Sequence, residues 1–574
     1  MMFPTVRASL MTVVAGFVCA ALNVSAQGQV QNFTPVTDAV LQDPDPEDWL
    51  SWRRTLDGWG YSPLDEINES NVGDLRLAWS WGLEPGVSQT TPIVHNGILY
   101  VANPGNVVQA LDAASGDFIW EYRHEMDERN RLGAQLRSLA IYHDLILLNT
   151  RDAHIVGLDA RTGEVRWDTT VMPDHDGYGF TSGPIIADGV IVAGLTGCGR
   201  YRDDTCYIVG VDGRTGQVLW RTSTVARPGE PGGDTWGDLP VMFRAGSDAW
   251  IPGSYDPASG LVYYGTAQAK PWTRDARGTD GDALYSNSTL ALDPATGEMQ
   301  WYYQHIPGDT HDMDETFERI LIDYDGRKSV FSMGKLGILW ELDRVTGAYL
   351  NAVDLGYQNI VDLNTATGEL TYRDGMVVDV GEDLYFCPST GGFKSLRAMS
   401  YHPETEAFYV PLNLNCESAA FGPVERREGG GGTGGVRGRR NHFHPDAPDQ
   451  LGEFQAMDIR TGETLWKHRR RAPYNTAALT TAGGLVFVGD WNRYVMAYDA
   501  RTGDPLWESR LSTMANGYPI TYAVDGKQYI AFGAGGPTGA SWTTVLPNDL
   551  LPEMKNPSSG RAGNTIFVYA LRDD

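Results

Sequence analysis

The segment "ALDPATGEMQW" (Ala291–Trp301) decides the fold, because near copies of it occur at five other places in the chain. These copies are "ALDAASGDFIW" (Ala110–Trp120), "GLDARTGEVRW" (Gly157–Trp167), "GVDGRTGQVLW" (Gly210–Trp220), "AMDIRTGETLW" (Ala456–Trp466) and "AYDARTGDPLW" (Ala497–Trp507). An aspartate can hydrogen-bond the backbone of a tight turn, and glycine adopts positive φ at no steric cost. The motif therefore predicts a strand, a turn and a second strand that carries the tryptophan on one face.

The spacing of the motif predicts a β-propeller. Weaker copies occur at "ELDRVTGAYL" (Glu341–Leu350) and "DLNTATGEL" (Asp362–Leu370). Several motif glycines lie about 50 residues apart, with room for about four short strands per unit, which is typical of propeller blades. The glycines are Gly116, Gly163, Gly216, Gly297, Gly347, Gly462 and Gly503.

Seven blades are clear, and we infer an eighth at "MSYHPETEAFYVPLN" (Met399–Asn413). The segment "NTIFVYALRDD" (Asn564–Asp574) is expected to close the ring. The prediction is an all-β, eight-bladed β-propeller that occupies residues 27–574 as a single domain. The repeated tryptophan would pack between neighbouring blades. The repeat therefore predicts the architecture of the protein and does not by itself indicate a reaction.

The N-terminus predicts a signal peptide over residues 1–26. Arg7 precedes the apolar run "SLMTVVAGFVCAAL" (Ser9–Leu22), and "VSA" (Val24–Ala26) fits a cleavage site. A membrane anchor is the alternative, but the apolar run is short for one. No other stretch could span a bilayer, so we expect an exported, soluble, periplasmic protein without a membrane span.

Four cysteines remain after Cys19 leaves with the signal. An even number in an oxidising compartment indicates two disulfides, and we expect Cys198–Cys206 and Cys387–Cys416 because each pair brackets one local excursion. Zinc is the alternative, but no CxxC spacing occurs. No CxxCH motif occurs either, so no covalently attached c-type haem is expected on this chain.

The net charge of −28 argues against nucleic acid and anionic membranes as partners. An acidic surface would suit a basic protein partner, or it would serve solubility alone. Charge does not separate these two interpretations.

The repeat resembles the tryptophan-docking motif of the quinoprotein alcohol dehydrogenases, which are eight-bladed periplasmic enzymes carrying pyrroloquinoline quinone (PQQ) and usually calcium. "GWGYSPLDEINESNVGDLRLAWSW" (Gly58–Trp81) is similar to the opening strand of that family. The same repeat occurs in non-catalytic assembly scaffolds of the outer membrane and in sensor domains. The polar residues at the ring centre must therefore decide between an enzyme and a scaffold.

The resemblance implies three central roles. "DAWIPGSYDP" places Trp250 where the family's tryptophan stacks on the quinone, and "HDMDETFER" offers Asp312 as catalytic base with Asp314 beside it. "MGKLGILWELDRVTG" places Lys335 where a cation bonds the quinone oxygens. Taken alone, Asp312 and Asp314 could be a solvated acidic loop, Lys335 a lysine at a strand end and Trp250 simple core.

The resemblance also implies a wider set of cofactor-binding residues. Arg137 is expected to hold a PQQ carboxylate, although it could be an ordinary surface ion pair. The other residues expected near the cofactor are Gln89, Thr181, Thr196, Gly197, Cys198, Lys394, Ser395 and Gly536.

The chain departs from the family at the metal. The family's glutamate ligand has no counterpart in "TGCGRYRDDTC" (Thr196–Cys206), and its asparagine ligand is replaced by Gln268. Calcium takes about six to eight oxygens. We expect Asp312, Asp314 and Gln268 as ligands, with Asp203 or Asp204 as further sources of oxygen.

The chain also departs from the family at the entrance. "RNRLGAQL" (Arg129–Leu136) replaces the adjacent-cysteine disulfide, Pro537 replaces a tryptophan, and a glycine-rich run (429–435) looks like a flexible loop. His442 and His444 follow this run, and a metal site at this pair is a weaker alternative to a plain loop. A wider entrance favours a bulky secondary alcohol. The pattern is similar to members that oxidise the C3 hydroxyl of trichothecenes such as deoxynivalenol.

The mechanism implied is alcohol oxidation, with Asp312 taking the hydroxyl proton and the hydride passing to C5 of PQQ. Calcium and Lys335 would stabilise the developing oxyanion. An external acceptor, expected to be a soluble cytochrome c, would then take the electrons. The alternatives are a non-catalytic propeller scaffold that binds proteins and, less compatible with the repeat, a sugar-oxidising quinoprotein.

Overall fold

The protein is an eight-bladed ring, as predicted, with seven four-stranded antiparallel sheets and one sheet that has a fifth, parallel strand. The computed structural model describes residues 30, 33–126, 135–172, 177–203, 206–535, 549–554 and 563–572. In most blades the first strand is wholly buried and the fourth is largely exposed, so the strands run from the hub of the ring to its rim. The predicted signal peptide lies outside the described residues.

The first four blades follow one another along the chain, each written here from hub to rim. Blade 1 comprises Ile93–His95, Ile98–Asn103, Val107–Asp112 and Phe118–Arg123; blade 2 comprises Ala140–Tyr142, Leu145–Asn149, His154–Asp159 and Val165–Thr170; blade 3 comprises Ile185–Ala187, Val190–Gly194, Tyr207–Asp212 and Val218–Ser223; blade 4 comprises Ser254–Asp256, Leu261–Gly265, Ser288–Leu292 and Met299–Gln304.

The last four blades include the two that use strands from the N-terminal region. Blade 5 comprises Ile320–Tyr324, Arg327–Met333, Ile338–Asp343 and Tyr349–Asp354; blade 6 comprises Ser400–His402, Ala407–Asn413, Gly452–Asp458 and Thr464–Arg470; blade 7 comprises Leu479–Thr481, Leu485–Gly489, Tyr494–Asp499 and Pro505–Arg510, with Tyr61–Ser62 parallel to its inner strand; blade 8 comprises Ile520–Val524, Lys527–Ala534, Asn564–Ala570 and Arg76–Leu83.

Smaller elements lie between the blades. The additional strands pair as Ala245–Gly246 with Ala269–Lys270, Val361–Asn364 with Glu369–Tyr372, and Leu384–Phe386 with Asn415–Phe421 and Val436–Phe443. The short α-helices are Asp38–Gln42 and Arg274–Arg277, and the 3₁₀ turns are Val72–Asp74, Gly233–Trp236 and Val241–Phe243. No helix among the described residues is long and apolar enough to cross a membrane.

The repeated motif forms the turn that the sequence predicts. In blade 3 the Asp212 carboxylate accepts hydrogen bonds from the backbone N–H of Arg214 (3.1 Å) and of Thr215 (2.8 Å). Gly216 follows with φ of 74°, a left-handed conformation that favours glycine. The turn joins the third strand of the blade to its fourth.

Six tryptophans dock on the motif glycine of the next blade, whereas Trp507 packs against Tyr569 of blade 8, which has no motif glycine. A Cβ atom built on Gly163 would lie 2.5 Å from the Trp120 ring, so only glycine lets the indole approach this closely. Five indole N–H groups also donate to a carbonyl of the next blade over 2.8–3.2 Å; they join Trp79 to Ala113, Trp120 to Ala160, Trp220 to Pro294, Trp301 to Arg344 and Trp466 to Ala500. Blade 5 has no docking tryptophan, because Val353 takes its place on Gly462.

The eighth blade is not where the sequence analysis placed it. Met399–Asn413 supplies the first two strands of blade 6, whose motif turn was already counted, so that assignment was wrong. The missing blade is blade 8, in which Arg76–Leu83 pairs with Asn564–Ala570 and so joins the two ends of the chain. This blade lacks the aspartate–glycine turn because its third and fourth strands are not consecutive. The weak copy at Asp362–Leu370 forms a hairpin outside the blades.

The antiparallel order of the blades decides where functional side chains can gather. The loop into the first strand and the loop between the second and third strands open at the same end of a blade. The motif turns lie at the opposite end. Both predicted disulfides form, with Cα atoms 5.4 Å apart for Cys198–Cys206 and 4.3 Å apart for Cys387–Cys416. The first ties the strand-connecting loop of blade 3, and the second ties the sheet beside blade 6.

Candidate active site

A cavity of about 320 Å³ lies at the hub, at the end of the ring opposite the motif turns. Its walls come from the two sets of loops that open at that end of the blades. Ten of the residues singled out in the sequence analysis line it: Gln89, Arg137, Thr181, Thr196, Trp250, Gln268, Asp312, Asp314, Lys335 and Ser395. The structure therefore brings together residues that are spread over more than half of the sequence.

The centre of the site is a buried cluster of two carboxylates and one lysine. Lys335 Nζ lies 3.0 Å from an oxygen of Asp312 and 3.0 Å from an oxygen of Asp314. It also donates to the backbone oxygen of Asp312 at 2.7 Å. The Gln268 side-chain amide donates to the other oxygen of Asp312, and the Gln268 backbone N–H donates to Asp314 at 3.3 Å.

The loop that carries the two aspartates is held by a third aspartate. Both oxygens of the buried Asp309 carboxylate accept backbone N–H groups, from His311 at 2.9 Å and from Met313 at 2.7 Å. Between them, Asp312 adopts φ of 66°, a left-handed conformation that is uncommon outside glycine. The turn thus presents both carboxylates, two residues apart, to the same ammonium.

Burial sets the electrostatics of this cluster. Burial raises the pKa of Asp312 well above its usual value, against the opposing charge of Lys335. Burial lowers the pKa of Lys335, but the charges of Asp312 and Asp314 outweigh it and raise that pKa overall. The lysine is therefore cationic, and the cluster can hold or take up a proton at Asp312.

Trp250 offers an aromatic face in the same cavity. Its ring meets Phe317 edge-on at 5.4 Å, and its carbonyl accepts the hydroxyl of Ser182 at 2.8 Å. The guanidinium of Arg137 lies over the Trp250 ring, 4.8 Å from its centre, and donates to the Thr181 carbonyl at 3.2 Å. Burial lowers the pKa of Arg137 to about 10.

Several predicted residues lie away from the cavity wall. Lys394 is fully buried and pairs with Glu318, with its Nζ 4.9 Å from the centre of the Phe317 ring. Burial lowers the pKa of this lysine to about 8. Asp203 is exposed, whereas Asp204, Gly536 and Pro537 lie outside the described residues.

Gly197 and Cys198 reach the site only through a residue that the sequence analysis missed. Their backbone N–H groups donate to the Asp248 carboxylate at 2.8 and 3.0 Å, and Asp248 lines the cavity. Lys270, also in the wall, lies 2.6 Å from the second oxygen of Asp248. Asp248 stands two residues before Trp250, and Lys270 two after Gln268. Alternation along an extended chain could have pointed to both.

Other wall residues were missed because single polar residues give no signal of burial. They are Gln135, Trp272, Thr390, Arg397, Asn413, Asn415 and Thr433. Thr433 belongs to the glycine-rich run, and its carbonyl accepts the backbone N–H of Trp272 at 3.1 Å. The run therefore reaches the cavity. His442 and His444 have separate partners, the Ser418 hydroxyl and the Tyr357 carbonyl.

Comparison with known proteins assigns the chain to a family. The family model for the PQQ β-propeller domain of glucose, ethanol and alcohol dehydrogenases matches residues 49–369 and 448–530. Quinohemoprotein alcohol dehydrogenase ADH-IIG of Pseudomonas putida is 32% identical over 532 residues, which cover 86% of this chain and 73% of the relative. Quinoprotein alcohol dehydrogenase PedH of Pseudomonas putida is 30% identical over 541 residues, covering 87% and 88%.

Solved structures agree with this assignment. A structure of ADH-IIG from Pseudomonas putida superposes with a TM-score of 0.83 at 29% identity, covering 94% of this chain and 83% of the other. A europium-containing methanol dehydrogenase also superposes with a TM-score of 0.83, at 26% identity, covering 93% and 99%. The chain is an enzyme of the PQQ-dependent (quinoprotein) alcohol dehydrogenase family.

Proposed function

We propose that the hub cavity binds PQQ and a metal ion and oxidises a bulky secondary alcohol, with Asp312 as the base. The observation that carries the proposal is that Asp312, Asp314 and Lys335 form one buried cluster in the wall that also holds Trp250 and Arg137. A protein-binding scaffold would have no need of such a cluster at its hub.

The described residues fit a planar, acidic cofactor. Trp250 supplies a flat aromatic surface, and Arg137 is a buried cation whose Nε has no hydrogen-bond partner. Thr181, Thr196 and Ser395 would add hydroxyl groups along the rim, and Gln89 has a side-chain oxygen without a partner. When bound, the quinone would supply the acceptor for the hydride that leaves the alcohol carbon.

The described residues also fit a cation. Asp312 and Asp314 bring two carboxylates to one point, and the buried side-chain oxygen of Gln268 has no hydrogen-bond partner. Hard cations such as calcium prefer oxygen ligands of this kind. We therefore assign the metal to these three residues and take calcium as the first ion to test. When bound, it would supply Lewis-acid polarisation next to the cofactor.

The remaining steps, proton transfer and stabilisation of negative charge, would fall to Asp312 and Lys335. Asp312, with a pKa raised by burial, is suited to accept the hydroxyl proton of the alcohol. Lys335 keeps the Asp312 and Asp314 carboxylates in place and offers a fixed positive charge where negative charge develops. The proton would therefore rest on a carboxyl that is already shielded from bulk water.

The alcohol would be large and weakly polar. Leu396, Leu451, Pro473 and Trp272 give the cavity an apolar side, and the glycine-rich run reaches its rim at Thr433. These features support a bulky secondary alcohol as the substrate. We propose a trichothecene such as deoxynivalenol, oxidised at its C3 hydroxyl, as an example of this class. The enzyme would act in the periplasm. A soluble cytochrome c would accept the electrons, and a basic one would suit the acidic surface of this chain.

Reconstitution tests this function. We expect the purified protein to bind PQQ and, with Ca²⁺ added, to reduce a dye in the presence of deoxynivalenol or another bulky secondary alcohol faster than with methanol. Asp312→Asn should lower kcat by a factor of about 100 to 10,000, as expected for loss of a general base. Its affinity for PQQ should stay within a few-fold of the unmodified protein.

The matched control is Asp362→Asn, the same change at an exposed aspartate on the hairpin outside the blades, and it should leave kcat unchanged. Turnover by Asp312→Asn at the normal rate would remove Asp312 from its role. A protein that binds no PQQ at micromolar concentration would argue for the scaffold.

A further inference from the structure

Arg397 is a buried cation in the cavity wall that has no carboxylate partner among the residues that the structure describes. Its side chain is 2% exposed, and it lines the same cavity as Trp250 and Arg137. Its two terminal nitrogens donate to the side-chain oxygen of Asn413 at 3.1 and 3.3 Å, when that amide is oriented to satisfy all its neighbours. The Nε atom of Arg397 has no hydrogen-bond partner.

Two other fully buried arginines of the hub lie outside the cavity wall and have backbone carbonyls as acceptors, although Arg53 also has an Nε and a terminal nitrogen without a hydrogen-bond partner among the described residues. Arg53 donates to two backbone carbonyls at 2.9 Å, and Arg319 donates to two carbonyls at 2.6 Å, with Glu315 and Glu318 as neighbouring charges. Arg397 has a single neutral amide as its recorded acceptor. Burial lowers the pKa of Arg397 to about 10, which leaves the side chain cationic at neutral pH.

A buried cation without an anion is costly, since its hydration is lost and nothing replaces it. Arg137 shows a similar arrangement in the same cavity, with one carbonyl contact and an Nε that has no partner among the described residues. Two such guanidinium groups in one cavity favour a ligand with more than one negative group. An alcohol is neutral and supplies no such group, whereas the quinone cofactor carries three carboxylates.

We propose that Arg397 is a second guanidinium anchor for a carboxylate of the bound cofactor, held in place by Asn413. The inference rests on the proposed function, because it assumes that PQQ occupies the cavity. Arg137 and Arg397 would then pair with different carboxylates of one ligand. Guanidinium is suited to this task because its planar donors match a carboxylate in two places at once.

The test is the affinity for PQQ of the purified full chain, measured by quenching of tryptophan fluorescence. Arg397→Gln should weaken PQQ binding about 10- to 100-fold, because a charge-assisted pair is lost. Arg397→Lys keeps the positive charge but loses the planar pair of donors. Its affinity for PQQ should therefore lie between those of the unmodified protein and Arg397→Gln. Equal PQQ affinity in all three proteins would overturn the inference.

A second ligand isolates the carboxylate. The trimethyl ester of PQQ has the same ring without the negative charges, so Arg397→Gln should bind the ester no more than about two-fold more weakly than the unmodified protein does. An equal loss for both ligands would mean a structural effect and would overturn the inference. Arg53→Gln is the matched control, because Arg53 is equally buried at the hub but is absent from the cavity wall. It should lower the melting temperature and leave the ratio of the two affinities unchanged.

Two further results separate this inference from the proposed function. If Arg397→Gln binds PQQ normally but has a raised KM for the alcohol, Arg397 contacts substrate and the inference is wrong while the proposed function stands. If the unmodified protein binds no PQQ, both are overturned.

Discussion

Lys335 is the single residue on which the buried charges of the site depend. It neutralises one of two carboxylates that lie two residues apart in a loop at the hub, and both of its ion pairs measure 3.0 Å. The two carboxylates share one ammonium, so the cluster carries an excess of negative charge when both are ionised. Under the proposed function a bound cation would remove that excess, so that lysine and metal would share one pair of aspartates.

Replacing Lys335 by glutamine tests this balance. Without the ammonium, two buried carboxylates face each other, so we expect the free energy of unfolding of the metal-free protein to fall by about 3–5 kcal/mol. Urea unfolding followed by fluorescence would measure it. Lys328→Gln, on an exposed strand position of the same blade, is the control and should change stability by less than about 0.5 kcal/mol. A loss below about 1 kcal/mol for Lys335→Gln would mean that the cluster is solvated.

The motif turn and its tryptophan are the features of the blades that the sequence predicts best. Both are local, since aspartate, glycine and tryptophan lie within nine residues of one another in each copy. Their chemistry has one structural solution, a tight turn that leaves a flat glycine surface for an indole. Repetition of the motif then predicts seven of the eight blades and most of the packing between them.

Trp120 shows how much each docking contact contributes. It is fully buried, donates to the Ala160 carbonyl at 3.1 Å and covers Gly163. Trp120→Ala should lower the free energy of unfolding by about 3–5 kcal/mol, because the cavity lies between two blades and neither can close it. Trp507→Ala is the comparison and should cost less, since Trp507 is only partly buried and faces blade 8, which offers it no motif glycine. Equal losses at the two positions would show that docking does not depend on the glycine.

At the scale of the ring, local patterns fail for contacts that join distant parts of the chain. Blade 8 escaped the sequence analysis because its rim strand, Arg76–Leu83, and its third strand, Asn564–Ala570, come from opposite ends. The wall residue Arg397 escaped it for the same reason. Nothing local shows that a lone charged residue will face a hub built from seven other blades. Asp312, Asp314 and Lys335 were found because each stands in a segment with a recognisable family pattern.

The pairing of Arg76–Leu83 with Asn564–Ala570 makes stability and function properties of the closed ring. The pairing extends from Arg76 with Ala570 to Leu83 with Asn564, with one β-bulge between Leu77 and Trp79, and Trp79 docks on Gly116 of blade 1. Removing the C-terminal strand would leave this rim strand and Lys527–Ala534 without the partner between them. Because the cavity wall is assembled from loops of successive blades, opening the ring at one seam should loosen the whole site.

A chain ended before Asn564 should therefore unfold at a lower temperature and bind PQQ poorly. Loss of the buried side chains of Ile566 and Val568 alone removes about 3–6 kcal/mol, before the backbone hydrogen bonds of the strand are counted. Calorimetry and the PQQ titration would measure the two effects on the same preparation. A chain ended after Leu571 keeps the strand and is the control. If both shortened chains melt and bind as the full chain does, the seam is not what holds the ring closed, and the docking of Trp79 on blade 1 must hold it instead.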